Sequence, residues 1–480
     1  MEALAVRHEK RRLGEVVLEG DALQHFAGKP FRQRANGGGV ACKRLRGECV
    51  YLIDRDLHSV ILVTMLDWSV TQIRYMSLRC SHLLFLSVTL SAQTNLSLRE
   101  AVSTALKEHP LLEAGRERIA VSEGFRRQAG LMPNPRLVLQ SENTRFTGSP
   151  SFSYAGDADT YAYLTQMFET AGKRASRVSL AAEGVRRATL ERELTERQIA
   201  FRVQQAYWLA AGAHEARLLL EENVKNFQRI VEYHEARVKE GAMAEADLLR
   251  VRLEGERLAV DLNNATLDAE RARIQLYREM GQTSFPAVRF TDPLEPVPEP
   301  PAVDLEQANN RRVEMRLARQ LVDQARSNLR LQQSTARPNV EMLFGYKRTS
   351  GYDTMVGGFQ MDLPFRNRNQ GNIAAAMSDI RAAEASLAAT EALVRAEVNA
   401  AQREVEIRGR QIGDPIKTMR RQADETARIA EAAYREGGTD LLRLLDAQRL
   451  RIEIQLFYYR ALADYRQSLA ALENALGVMP

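Results

Sequence analysis

Across 480 residues the chain carries 67 Lys and Arg against 62 Asp and Glu, a net charge of only +5, which leaves no basic field able to hold a nucleic acid. From Gln93 onward the balance is closer still, 54 cations against 53 acids. The three cysteines, Cys42, Cys49 and Cys80, all lie early, so nothing beyond them can form a disulfide or a thiolate metal site.

Residues 1–75 show no sustained hydrophobic period; ANGGG, KRLRGEC and an isolated apolar patch HSVILVTML are typical of them. From Met76 the chain reads MSLRCSHLLFLSVTLSAQT: a start residue, a basic Arg79, a short apolar run from Leu83 to Leu90, then small residues up to Ala92. That is the layout of a secretory signal peptide over 76–92, with cleavage before Gln93. Signal peptides occupy true N-termini, so the expectation is that translation begins at Met76 and that 1–75 is an upstream extension or a start-site artefact. A genuine N-terminal extension is the alternative. No stretch reaches the roughly 18–20 apolar residues of a membrane-spanning helix.

A first structural repeat is expected over 93–290. The segment LSLREAVSTALKEHPLLEAGRERIAVSEGFRRQAG is helical by pattern and stops at Met132-Pro133-Asn134-Pro135. Two extended runs, Arg136 to Phe146 and Asp159 to Phe168, flank a turn-rich TGSPSFSYAGD and read as a β-hairpin. The proline-free stretch from Gly172 to Gly281 follows, rich in strong helix formers, with one reversal at Gly241. Val251, Gly255, Leu258, Leu262, Ala265, Ala269, Ala272 and Leu276 alternate in steps of 4 and 3, the seam of a coiled coil. The first of these helices, roughly 70 residues at 1.5 Å each, would span on the order of 100 Å.

A proline-rich linker, 291–301, separates this from a second repeat over 302–480. DLEQANNRRVEMRLARQLVDQARSNLRLQQSTA is helical and stops at Arg337-Pro338-Asn339. VEMLFGYK and TMVGGFQMDLP form a second hairpin around Ser350-Gly351-Tyr352. A long helix from about Asn372, weakest at Gly413-Asp414-Pro415, runs to Gly437-Gly438, and a last helix ends near Gly477. Pro133 and Asn134 recur 205 residues later as Pro338 and Asn339, and Gly241 and Gly281 recur 196 residues later as Gly437 and Gly477. The chain is an internal duplication of helix–hairpin–long helix–helix.

The second hairpin alternates cleanly. Val340, Met342, Phe344 and Tyr346 face one way, with Glu341, Gly345 and Lys347 opposite; Met355, Phe359, Met361 and Leu363 oppose Gln360 and Asp362. One face is apolar and the other polar, as on a barrel with lipid outside and water inside. Four strands cannot close, and lipid tolerates no open sheet edge. The chain must therefore stay soluble, its hairpins capping a helical bundle, or pool strands between copies; three copies give twelve.

The order, spacing and duplication of LSLREAVSTALKEHP, the two Pro-Asn stops, GKRASR, YHEARVKEGAMAEADLL and YREGGTDLLRLLDAQR resemble the TolC-like outer-membrane efflux protein family from Leu96 to Gly477. The resemblance implies a mostly α fold with a small β part. It implies a homotrimer whose shared 12-strand β-barrel sits in outer-membrane lipid above a periplasmic α-barrel. It further implies an exit duct of a tripartite efflux pump, with a periplasmic adaptor and an inner-membrane transporter as partners. AGLMPNPRLVLQSEN, AGKRASR and EGAMAEADLLRVRLE are most similar to the branch paired with heavy-metal-cation exporters.

By the same resemblance the reversals at Gly241, Gly437 and Gly438 lie at the adaptor-contacting periplasmic tip. Asp446 matches an acidic pore-aperture residue, and Asp247 and Tyr434 match a pair that locks neighbouring hairpins. Arg443 stands where some members have a second aperture acid, and Thr439 where the lock has an arginine; Arg443 is placed to pair with Asp446 at i, i+3. No catalytic constellation, cofactor loop or metal-ligand spacing is found. His109, His214 and His234 read as scattered surface or groove residues, Trp208 as core, and Gly357-Gly358 as places where missing side chains ease packing. Gln93 is not cysteine, so the lipid anchor of some relatives is not expected. A periplasmic coiled-coil adaptor or scaffold, and a type I secretion exit duct, are the competing readings. The amphipathic hairpins argue against the scaffold.

Overall fold

A computed structural model describes residues 33–35, 38–45, 48–53 and 94–478, and the chain divides into two units, Met1–Ser87 and Val88–Pro480. The expected signal segment at 76–92 lies outside the described residues. In the first unit three short strands pair antiparallel in the order β1 (Gln33–Ala35), β2 (Gly38–Leu45), β3 (Glu48–Ile53).

The second unit opens with β4 (Thr94–Leu96) and α1 (Leu98–Glu108). Ser97 and Glu100 form a reciprocal capping box: the Ser97 hydroxyl accepts from Glu100 N–H while the Glu100 carboxylate accepts from Ser97 N–H. The single helix read from the sequence is broken at His109, whose backbone is extended (φ −67°, ψ 125°), and α2 (Pro110–Ala129) starts anew. Pro110 has no N–H to give and disfavours helical backbone at the residue before it. Strand β5 (Arg136–Glu142) stops four residues short of the expected Phe146, and a turn of helix α3 (Tyr154–Asp157) leads into β6 (Asp159–Phe168). The long pair is α4 (Lys173–Lys239), 67 residues, and α5 (Glu245–Glu279). The seam holds: Val251, Leu258, Ala272 and Leu276 are buried, and Gly255 lies against Phe227 and Val231.

After β7 (Val288–Phe290) the plan repeats as α6 (Leu305–Arg311), α7 (Val313–Thr335), β8 (Val340–Thr349), β9 (Tyr352–Gln360), α8 (Gln370–Ile412), α9 (Asp414–Arg435) and α10 (Leu441–Ala475). The duplication extends to backbone detail. Arg312 between α6 and α7 takes φ −63°, ψ 124°, nearly the His109 values, without a proline to impose them. Gly241, Gly281, Gly437 and Gly477 all adopt left-handed backbone, with φ of 72°, 76°, 74° and 77°. At each one the glycine N–H and the following N–H return to carbonyls of the last helical turn. The second long helix alone is interrupted, at Gly413, where Pro415 enters the first turn of α9.

Two features hold the middle of the unit. β4 and β7 pair in parallel, a contact the sequence reading missed because each strand is three residues long. Asp292 clamps them: its carboxylate accepts from Leu98 N–H at 2.6 Å and lies 3.0 Å from the hydroxyl of fully buried Tyr207. Burial, reinforced by the Asp292 charge, pushes the Tyr207 hydroxyl far above the ordinary tyrosine range. The proline-rich segment is pinned as a strap by Arg466, which donates to the carbonyls of Pro293, Leu294 and Pro296 and sits 4.7 Å over the Trp208 ring. Beside it α4 crosses α10 so closely that a Cβ on Gly212 would come within 2.5 Å of Ala463 Cβ.

Candidate functional site

The two hairpins merge into one antiparallel sheet ordered β5-β6-β8-β9, with β6 pairing β8. Its register aligns Leu137 with Leu164, Leu164 with Phe344, and Met342 with Phe359, so the apolar residues of all four strands share a face. That face is bare: Leu139 is 73% exposed, Phe344 62% and Phe359 73%. The reverse face carries Gln140, Tyr161, Glu341, Lys347 and Gln360, and the Lys347 ammonium lies 5.1 Å from the Tyr161 ring centre. Among the described residues no helix is long and apolar enough to cross a membrane.

Gly345 makes the junction between the halves possible. A Cβ there would lie 2.3 Å from the Ala162 carbonyl oxygen and 2.3 Å from Tyr163 Cα. The expectation from the sequence was that missing side chains ease packing at Gly357 and Gly358. A Cβ at either meets only side chains or backbone at 3.7 Å or more, ordinary contact, so that expectation is corrected.

Every layer of the second unit has two free edges. In the sheet they are β5 and β9. Among the upper helices the packing runs α2–α4–α7–α8, leaving α2 and α8; among the lower it runs α5–α4–α10–α9, leaving α5 and α9. These edges are not solvent-like. On α8 an exposed row steps by 3 and 4 through Ala375, Ser378, Ala382, Ala385, Ala389, Ala392 and Ala396. On α2 a row of the same period presents Leu111, Ala114, Arg118, Val121 and Phe125, also exposed and apolar except at Arg118. Helix α5 carries a second stripe, Leu249, Leu253, Val260, Leu267 and Ile274, opposite its seam with α4, and α9 exposes Met419 and Ile429. Small residues on one edge and large ones on the other form the holes and knobs of helix packing.

At the far end of the long helices the two reversals share one core of Leu220, Phe227, Val231, Leu441, Leu444 and Leu445. Gly241 and Gly437 supply the left-handed turns, and Gly438 N–H returns to the Ala433 carbonyl at 2.8 Å. Asp446 and Arg443 both lie exposed on α10. Among the described residues no ion pair joins them. Arg443 N–H is taken by the Asp440 carboxylate that caps the helix, and its side chain stays apart from Asp446. Nor does Tyr434 bond Asp247 within the chain. Its hydroxyl meets His234 Nε2 at 2.9 Å, and the two rings stack with centres 5.6 Å apart. Burial raises the Tyr434 pKa above the ordinary range against the opposing charge of Arg237, with smaller upward contributions from Tyr233 and Asp247.

His234 is therefore no surface residue; it is 1% exposed, with Nδ1 2.7 Å from the Ile230 carbonyl. Nδ1–H donates to that carbonyl, which leaves Nε2 to accept from Tyr434 O–H. The signal was available in the sequence, because His234 falls seven residues after Phe227 and fourteen after Leu220 on the buried stripe of α4. Two further contacts join the hairpins, Arg449 with Glu254 at 2.7 Å and Arg451 with Asn223 at 3.2 Å. Among the described residues no group of three or more His, Cys, Asp or Glu is placed to hold a metal ion.

Comparison with known proteins agrees with this arrangement. The family model described as "Outer membrane efflux protein" matches residues 101–282 and 305–478, one copy on each repeat. The cobalt-zinc-cadmium resistance protein CzcC of Cupriavidus metallidurans is 23% identical over 385 residues, covering 80% of this chain and 90% of that protein. The MtrE outer membrane channel of Neisseria gonorrhoeae superposes with a TM-score of 0.67 at 18% identity, covering 79% of this chain and 89% of its own. VceC, an outer membrane protein of Vibrio cholerae, does so with a TM-score of 0.64 at 19% identity, covering 79% and 96%.

Proposed function

The chain belongs to the outer membrane efflux protein family, and on that premise we propose that three copies close head to tail into a duct that clears heavy-metal cations from the periplasm. It is an outer-membrane efflux channel of a tripartite pump; family members work with an adaptor and an inner-membrane transporter, and its structural neighbours are channels. The observation that carries the trimer is the coincidence of free edges. Lipid forbids an unpaired strand edge, and β5 and β9 each have one, above helices whose own edges are apolar. Head-to-tail contact of three such strips gives twelve strands and closes every layer at once. The cation cargo is supported by the likeness to CzcC, whose name records resistance to cobalt, zinc and cadmium. Secretion to this site fits a signal peptide at 76–92.

The tip is the proposed aperture. Three copies of Asp446 would ring the axis and favour cations, with Arg443 one turn away setting an opposing charge. The glycine reversals at Gly241, Gly437 and Gly438 are the adaptor-contacting ends. Tyr434 is held inside its own chain by His234, and Asp247 is its proposed second contact, across to a neighbouring hairpin.

Cells that depend on this chain should lose tolerance to zinc, cobalt and cadmium when it is deleted, and should retain more of these ions in the periplasm. Unchanged tolerance with intact outer-membrane trimers would remove the metal cargo and leave the duct. A second expectation concerns the clasp. Tyr434→Phe leaves His234 Nε2 buried without its donor, a cost of roughly 1–3 kcal/mol. Borne by the closed state alone, it shifts closing by about 5- to 150-fold. Open current in planar bilayers should rise in Tyr434→Phe and further in Tyr434→Phe with Arg449→Ala. Current equal to wild type in both would show that these bonds do not hold the tip shut.

A further inference from the structure

The four connections between sheet and helices all meet at one end of the sheet. The register sets Arg136 beside Thr165 and Phe168 beside Val340, so the end of α2, the start of α4, the end of α7 and the start of α8 lie at one level. Residues 126–136, 168–177, 330–339 and 361–370 hold ten Lys and Arg against two acids, Glu169 and Asp362, in a chain body otherwise near neutral. Some of these cations are used internally. Lys173 donates to the Arg337 carbonyl and to Asn339, and Arg177 pairs with Glu169. Among the described residues Arg126, Arg127, Arg337, Arg366 and Arg368 have no acidic partner within salt-bridge distance, although most arginines on the long helices do.

Two of these free arginines share a groove of about 560 Å³ at the foot of β8 and β9. Arg337 and Arg368 line it together with Pro338, Leu363, Phe365 and Ile373, and no acidic side chain does. Leu363 keeps the parity of lipid-facing Met355 and Phe359, and Phe365 is 76% exposed. The groove thus continues the apolar face of the sheet downward and ends in two unneutralised guanidinium groups. We propose that it binds an anionic diacyl phospholipid of the periplasmic leaflet, the phosphate between Arg337 and Arg368 and the acyl chains along Leu363 and Phe365. The proposal rests on the sheet being the lipid-embedded part of the channel. The argument for this occupant is continuity with that face and complementarity of charge: a net-negative headgroup gains from both guanidiniums, and a zwitterionic one carries its own cation nearby.

The test uses the full chain extracted in mild detergent from vesicles of equal phosphatidylglycerol and phosphatidylcholine, with bound lipid read by native mass spectrometry. Wild type should retain phosphatidylglycerol about tenfold over phosphatidylcholine. Arg337→Gln with Arg368→Gln should lose that preference while still inserting and conducting. Phe365→Ser should weaken retention of both lipids without changing the preference. Three results would overturn the lipid site: equal retention by wild type, a preference untouched by the double arginine change, or displacement of the lipid by inorganic phosphate alone at millimolar concentration. Loss of oligomer instead of lipid in the double variant would assign the groove to a second copy and overturn it as well. Wild type absent from the membrane would fail the channel reading first, an outcome distinct from an inserted protein that shows no preference.

Discussion

Ala385→Glu combined with Ala389→Glu should yield a folded, helical chain that no longer forms a trimer and carries no current. Both alanines are exposed on α8 and touch no neighbouring element that needs them, so the isolated chain has room for the larger side chains. Assembly does not. In the proposed seam the row from Ala375 to Ala396 receives Val121 and Phe125 of the next copy, and with Arg118 the one cation of that row at least one of the two added carboxylates would be buried without a partner. An uncompensated buried charge costs roughly 3–5 kcal/mol, and a ring of three repeats the cost at every interface. Native mass in detergent should fall from trimer to monomer while helical content by circular dichroism stays level. A conducting trimer in this variant would mean that α8 meets water rather than α2, and the order of the closed ring would have to be redrawn. Phe125→Asp tests the opposite side of the same seam and should behave alike.

Gly345→Ala should have an effect of similar size by another route. The added methyl group would sit 2.3 Å from the Ala162 carbonyl oxygen and from Tyr163 Cα, both backbone atoms of β6. No side chain can swing away to relieve that contact, so β6 and β8 must separate. Their pairing, nine residues from Thr160–Arg348 to Phe168–Val340, is among the described residues the only strand pairing between the two hairpins. In lipid the freed amide and carbonyl groups have no water to turn to, and each costs several kcal/mol. The variant should reach the periplasm, fail to insert, and be degraded or recovered as aggregate. Gly357→Ala on the next strand is the control, because its Cβ meets Phe344 at 3.8 Å and should be tolerated. Similar insertion of both variants would refute the crowding argument.

These residues mark how far the sequence could be read. The long helices, their glycine reversals and the seam on α5 were legible because each is written locally, in composition, in a left-handed stop or in a period of 3 and 4. The second hairpin was legible from alternation and the first from two extended runs about a turn-rich segment. The clasp was not, because Tyr434 and His234 lie 200 residues apart and no local rule couples them. Arg443 and Asp446 illustrate the reverse error. Their spacing allowed an ion pair, but both side chains are exposed, and a surface pair gains too little to hold two long side chains together. The helix break at Arg312 also escaped, since Val313 and not a proline follows it and no local residue marks the break.

The sequence by itself determined that this chain is a duplicated strip: two hairpins with one apolar face, carried on helices too long for a globular core. It did so because periodicity, turn residues and repeat offsets are properties of neighbours in the chain. Only the tertiary structure decided that the hairpins join through β6 and β8, that Gly345 permits that junction, and that His234 is buried beneath Tyr434. Only the tertiary structure, too, exposed one free edge on each side of every layer. Those are distances between residues far apart in sequence, fixed by close packing and by the need to pair every backbone group out of water.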